Sequence, residues 1–456
     1  MLFRTALSTA IILGISCALL FADNQTLDVL FRDYLSDLEH NNSRVGLVIY
    51  DLKEKKMIID HHSEHSFPPA SLAKLVITAV SLREFGPDFR FQTRIVSDGT
   101  VNSGVLKGSL VIVGSGDPSL NTLSLSDLAR QVKSAGIRRI EGDLVFDDTL
   151  FGPSVPKGWP ENTKADANFA PSCALSLNYN TVLVNIVERP DGTTAIQFEP
   201  QDSITRLINN LRTGRAISLK WTTNGWLIAS GRLGSDKQYE RRISVETPSF
   251  YTCTVLRNQL ELAGVHVDGD IHRGTAPSNA RVVAQWYSEP LTEMLAKMNE
   301  YSNNFIAEQV RRTLEARTNT SIQTLAASMF ENAGIDNGKV VLVDGSGLSS
   351  LNRITPRTMA DLLIAASTGE EGPDFFRTIA RLDENPIYRN WGVHVNTEAD
   401  IRVKSGRLPE TYNMAGFVGD RDSGLVFVFM METAAISEPT IKQVTEDVIN
   451  RLVRLL

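Results

Sequence analysis

Residues 68–82 read PPASLAKLVITAVSL. The two prolines stop any preceding helix and introduce Ala70-Ser71. From Ser71 to Leu82 the side chains are nearly all apolar, which predicts a helix buried on every side. Lys74 is the one charged residue inside that run. A serine hydroxyl is a poor nucleophile unless a base takes its proton. At helical spacing, residues three apart share a face, so Lys74 can reach the Ser71 oxygen. Apolar surroundings favour the neutral lysine, the form a base requires. The helix N-terminus adds a positive dipole where negative charge would develop. The same spacing recurs at Ser154 and Lys157, but Pro156 and the Gly-Trp-Pro that follows make that copy a loop. Without chemistry, Ser71 would simply cap the helix and Lys74 would reach solvent.

On either side of this helix the texture is mixed. Leu27–Leu38 has helical apolar spacing, and Arg44–Asp51 (RVGLVIYD) reads as a buried strand, followed by a short strand at Lys56–Asp60. After about Glu84, and up to about Ser278, short strands alternate with Gly turns and Pro breaks. Only Leu125–Ala135 and Thr254–Ala263 read as helices there. From Leu291 amphipathic helices return, and Ala415–Val418 and Leu425–Met431 read as strands. A final helix carries Ile441, Val444, Val448, Leu452 and Leu455 on one face. Its mixed acids and bases favour packing on a sheet over a membrane-surface role. The expected fold is therefore α/β of the α+β kind. Residues 23–84 and 279–456 form one domain around a β-rich insertion at 85–278, itself holding an inner module at about 168–245.

Two further motifs lie in the α/β portions. Ser302-Asn303-Asn304 separates two amphipathic helices, where a second hydroxyl and an amide could relay a proton and hold a substrate backbone. The Ser-x-Asn spacing recurs at Ser119, Ser176 and Ser350, where it is turn-like. Lys404-Ser405-Gly406 follows the alternating Asp400-Ile-Arg-Val403 and reads as a strand. There an ammonium and a hydroxyl could bind a carboxylate, while Gly admits a ligand to its backbone. An ordinary edge-strand lysine is the plain alternative. Order and placement together give the pattern of β-lactamases and penicillin-binding proteins: nucleophile helix, polar loop, Lys-Ser-Gly strand.

The 456-residue chain has a net charge of -7 and no long Lys/Arg run, so nothing points to nucleic acid. Arg4 and the apolar run Ala6–Leu20 read as a cleaved export signal, residues 1–22, with cleavage after Ala18 or Ala22. A retained anchor and a lipoprotein signal at Cys17 are the rival readings. No later stretch reads as a membrane helix, so stable membrane insertion is not expected. Export leaves Cys173 and Cys253, either a disulfide or two separate buried thiols. The cluster His61-His62-Ser-Glu-His65 suggests metal but sits in a polar turn, which favours a solvated loop. Gly114-Ser115-Gly116 lacks the helix a phosphate loop needs.

Beyond these motifs the sequence resembles the secreted D-alanyl-D-alanine carboxypeptidase/endopeptidases, class C penicillin-binding proteins of low molecular mass. The resemblance rests on PPASLAKLVITA around Ser71, GSGDPSL at 114–120, DDTLF at 147–151 and SNNFIAE at 302–308. DGSGLS and NRITP at 344–356 and VKSGRL with YNMAGFVG at 403–419 extend it over nearly the whole mature chain. It implies a transpeptidase-like domain with a large insertion, and a periplasmic enzyme acting on peptidoglycan stem peptides. β-Lactam antibiotics would be covalent inhibitors, and no metal or organic cofactor is implied. Ser71 would be the acylated nucleophile and Lys74 its base. Ser302, Asn304 and Lys404 would complete the proton and substrate network, and Ser405 would bind the substrate carboxylate. Backbone N–H groups of Ser71 and Arg407 would form the oxyanion hole, Gly406 belongs to the same motif, and Asp148 would face the stem peptide. Two departures stand out: Ser405 replaces a usual Thr, and Ser350 stands where many relatives carry an Arg. A β-lactamase or esterase of the same fold, with Tyr301-Ser302-Asn303 as its Tyr-x-Asn, is the nearest rival. A non-catalytic wall-binding scaffold is the other.

Overall fold

The computed structural model describes residues 31–159, 165–201, 205–222, 225–234, 238–434 and 436–456. The export signal and its cleavage sites lie outside them. The chain divides into two compact units. One holds the chain up to Leu72 with Ala333–Val340 and Arg353–Leu456; the other holds Ala73–Asn332 and Val341–Asn352.

The first unit is built on a five-stranded sheet in the order Ile401–Leu408, Thr411–Val418, Leu425–Glu432, Arg44–Asp51, Lys56–His61. Every neighbouring pair is antiparallel. Thr411–Val418 is buried at all its positions, because helices cover both faces of the sheet. On one face a helix at residues 31–40 and the helix Glu438–Val453 pack Phe31, Leu35, Val444 and Val448 against Phe427 and Phe429. The C-terminal helix thus lies on the sheet, as its mixed charges predict. On the other face Pro356–Thr368 lies against Leu425–Glu432 and Arg44–Asp51. That approach needs Gly46, where a Cβ would stand 2.6 Å from the Pro356 ring.

The second unit carries the helix Ala73–Phe85, whose residues from Ala73 to Leu82 are all buried. Helices Leu291–Glu300, Asn304–Thr318 and Ile322–Asn332 surround it. That packing places the helix in the second unit, which begins at Ala73. The remainder is a five-stranded sheet, Ile271–Arg273, Leu144–Asp147, Leu110–Val113, Gln92–Ser97 and Arg281–Tyr287, with smaller sheets beside it. Its Leu110–Val113, Leu144–Asp147 and Ile271–Arg273 strands run parallel. Parallel neighbours need a crossover, which the helix Thr122–Ser134 supplies between the first two. It packs on Pro248–Leu262, the second helix expected in this region. Two three-stranded sheets fall between Thr181 and Ser244, inside the expected inner module.

Cys173 and Cys253 are both buried free thiols, which decides between the two readings. Burial pushes both thiols above their usual range. Among the described residues no helix is long and apolar enough to cross a membrane.

Candidate active site

In the second unit the chemistry gathers around Lys74, which has no exposed surface. Its Nζ donates to Asn304 Oδ1 at 2.8 Å and to the Ser346 carbonyl at 2.6 Å. Burial pulls the ammonium down to about 7 from 10.5, opposed by the charges of Asp344 and Glu308. A buried amine with two oxygen acceptors and a proton affinity near neutrality can give and take protons at physiological pH.

The Ser302-Asn303-Asn304 motif divides its work residue by residue. Ser302 turns the chain with φ at 52°, a left-handed conformation that is costly for a residue bearing a Cβ. Asn303 caps the next helix, its side chain accepting from Ile306 N at 3.0 Å. Asn304, the first helical residue, is then the amide that reaches Lys74. With Asn303 committed to the cap, the register Ser302–Asn304 is the one that meets the lysine. The Asn304 amide also donates to the Asn168 carbonyl, at 3.3 Å.

The turn that holds Ser346 was quoted above only as DGSGLS. Asp344 is its hub: it accepts from Trp159 Nε1, Gly347 N, Ser349 N and the Asn352 amide at 2.5–2.9 Å. Glu308, fully buried, accepts from Gly345 N and Ser346 N at 2.8 Å each. The turn is close-fitted at Gly345, where a Cβ would stand 3.0 Å from the Ala307 carbonyl. Spacing offered one signal for Glu308, four residues after Asn304 on the same helix face. Asp344 gave none beyond a turn.

In the first unit a 3-10 turn, Ala70–Leu72, carries Ser71 directly ahead of the helix Ala73–Phe85. Ala70 has φ at 48°, so the residue before the serine is also left-handed. Asn413 holds this turn to the sheet, donating to the Pro68 and Pro69 carbonyls at 2.9 Å each. The Lys404-Ser405-Gly406 strand passes close by. A Cβ on Gly406 would stand 2.8 Å from both Ser71 N and Pro69 O. Side chains alternate along a strand, so Lys404 shares the face of Gly406, and Ser405 shares that of Ile401 and Val403. Lys404 is buried, its Nζ donating to the Ser405 carbonyl at 2.7 Å.

Ile401–Leu408 is an edge strand, and its backbone pattern locates Arg407. Val403 N donates outward to Ala380 O, and Ile401 O accepts from Leu382 N. In an antiparallel pair alternate residues turn both backbone groups the same way. Residues 405 and 407 therefore also point theirs away from the neighbouring strand, so the Arg407 N–H lies on the outer edge beside the Ser71 turn. The Arg407 side chain is exposed and pairs with Glu438 at 3.5 Å.

Asp148 is not gathered into the Lys74 cluster. It is 2% exposed, and its oxygens are taken by Arg273 Nε at 2.5 Å and Ser249 Oγ at 2.8 Å. Ser350 is exposed. In the histidine-rich turn, Glu39 accepts from His61 at 2.8 Å and lies 3.1 Å from His62, while the His62 and His65 rings stack. The turn is thus partly ordered by an acid–imidazole cluster, and not fully solvated as expected.

The model of the D-Ala-D-Ala carboxypeptidase 3 (S13) family matches residues 25–454. The D-alanyl-D-alanine carboxypeptidase of Actinomadura sp. (strain R39) is 27% identical over 450 residues, covering 91% of this chain and 83% of that protein. The D-alanyl-D-alanine carboxypeptidase DacB of Haemophilus influenzae is 24% identical over 394 residues, covering 82% of each. The crystal structure of penicillin binding protein 4 (dacB) from Haemophilus influenzae superposes with a TM-score of 0.81 at 23% identity, covering 91% of this chain and 98% of that one. These matches agree with the chemistry gathered around Lys74 and the Ser71 turn, and the chain belongs to the D-Ala-D-Ala carboxypeptidase 3 (S13) family.

Proposed function

We propose that this chain is an exported serine D-alanyl-D-alanine carboxypeptidase and endopeptidase that trims peptidoglycan stem peptides in the periplasm and is acylated by penicillins. The observation that carries the reading is Lys74. A fully buried lysine, drawn to about 7, lies three residues along the chain from a serine held in a strained turn. At neutral pH a large share of Lys74 is unprotonated. Its Nζ takes the proton of Ser71 Oγ as that oxygen attacks the D-alanyl carbonyl. The tetrahedral intermediate places its negative oxygen against the N–H groups of Ser71 and Arg407. One such donor is worth roughly 3–4 kcal/mol in a comparable site. Collapse breaks the peptide bond, and the proton passes to the leaving amine with Ser302 and Asn304 as relay and support. Water then attacks the ester, giving its proton to Lys74, which returns it to the departing Ser71 Oγ and restores the hydroxyl.

Lys404 supplies positive charge for the substrate carboxylate, with Ser405 and Gly406 in the same strand. For a stem-peptide contact at Asp148 the structure offers no support, because Arg273 and Ser249 occupy that carboxylate. The leader at residues 1–22 supports export.

Labelling with a fluorescent penicillin tests the reading. The wild type takes one covalent label per chain, and Ser71→Ala and Lys74→Ala take none. An unlabelled wild type, or a labelled Ser71→Ala, overturns it. Release of D-Ala from a pentapeptide stem then separates a peptidase from an enzyme that turns over penicillin quickly.

A further inference from the structure

We infer that Glu308 and Asp344 are positioning residues for Lys74, holding through the turn Gly345–Gly347 the carbonyl on which its Nζ rests. The inference deepens the proposed function and rests on Lys74 as the base. The peptide unit between Ser346 and Gly347 is engaged at both ends. Its carbonyl accepts from Lys74 Nζ at 2.6 Å, and its N–H donates to Asp344 Oδ1 at 2.9 Å. A carboxylate on the N–H side polarises the amide and strengthens its oxygen as an acceptor. The two preceding N–H groups, of Gly345 and Ser346, both end on Glu308 Oε1 at 2.8 Å. Three consecutive amides are thus oriented by two buried carboxylates, and one of their carbonyls meets the lysine.

The arrangement is also electrostatic. The charges of Asp344 and Glu308 both favour the protonated form of Lys74 against burial. Glu308 is itself faced by Arg311, with Nε to Oε2 at 2.9 Å, and by Asp344. Arg311 also pairs with Glu315 at 2.6 Å. On balance the Glu308 carboxyl is raised, by burial first, with the Arg311 guanidinium acting against it, the Asp344 charge adding to it and the Arg311 and Ser346 donors opposing it. Both carboxylates offset the cost of charging the one buried lysine. They hold its proton affinity near physiological pH instead of letting desolvation drive it lower still.

The test is the pH dependence of acylation by a fluorescent penicillin, measured on the full chain. In Glu308→Gln the shape is kept and one negative charge is lost. The acid limb of the profile should move to lower pH by about one unit, with thermal unfolding recorded in parallel. Glu308→Asp keeps the charge, so its limb should stay near the wild-type position even where the rate falls. Asp344→Asn, measured in the same way, should also move the limb to lower pH and serves should Glu308→Gln not fold. A folded, labelled Glu308→Gln whose limb stays in place overturns the inference, as does a Glu308→Asp limb that moves as far as that of Glu308→Gln. Failure of the wild type to label strikes the proposed function instead, so the two failures are distinguishable.

Discussion

At the scale of single residues, Lys74 makes the firmest demand. In the proposed mechanism the unprotonated amine is the active form, and burial brings its titration to about 7. Acylation by a penicillin should therefore rise with pH through about 7 and level off above it, as stopped-flow or gel-based labelling rates would show. Lys74→Arg keeps a cation that cannot give up its proton. Labelling should fall by roughly 100- to 10 000-fold, the usual worth of a general base, with the fold retained. Gly406 makes a steric demand: the methyl of Gly406→Ala would meet backbone atoms of Pro69 and Ser71, not a side chain that can swing aside. A displacement of the nucleophile by about 1 Å should cost on the order of 100-fold in acylation rate. Lys74 was legible in the sequence because a lone cation in an apolar run has few ways out. Asp344 was not, since an Asp before Gly reads as a turn whether or not it organises a site. Asp148 shows the same limit: its position in DDTLF says nothing of Arg273 and Ser249, more than 100 residues away in sequence.

At the scale of elements, the site depends on segments held in unfavourable conformations. Ala70 and Ser302 both adopt left-handed backbone angles, of the kind that cost about 1–3 kcal/mol and persist only where surroundings over-determine them. For the Ser71 turn, part of that surrounding is Asn413, buried in the Thr411–Val418 strand. Asn413→Ala would leave the Pro68 and Pro69 carbonyls without this donor. The Pro69 carbonyl keeps the Leu72 N–H as a donor, so the loss falls mainly on Pro68, about 1–3 kcal/mol, read as a lower urea midpoint. Labelling should slow as well, because the turn relaxes away from its strained form. Element identities followed from periodicity: the buried helix, the sheet strands and both helices of the insertion stand where apolar spacing puts them. Ends were less legible. The Lys404 strand runs on to Leu408 and its neighbour begins at Thr411, because cross-strand pairing extends strands through polar residues.

At the scale of the whole chain, the two thiols give a plain prediction. In protein that begins at residue 23, Cys173 and Cys253 should react with a thiol reagent only after denaturation. A reductant should leave the melting temperature unchanged. An intact mass two hydrogens lighter than the dithiol form would contradict this. Spacing could not choose between pairing and separation, since two cysteines 80 residues apart say nothing about distance in space. The parallel strands of the insertion were hidden similarly. Short apolar runs look alike in either direction, and only the crossover helix separates them.

The outer edge of the Ile401–Leu408 strand is already filled over its first half, where Ala380 and Leu382 bond to Val403 and Ile401. The stretch around Ser405 and Arg407 follows directly, and under the proposed function it would be the berth for a guest laid alongside. Such a berth works as a ruler with a stop at one end. Under the proposed function it would grip the tip of an extended stem peptide by main-chain groups and leave the rest of that peptide outside. Length of purchase, more than side-chain fit, would then decide where along its guest the enzyme cuts.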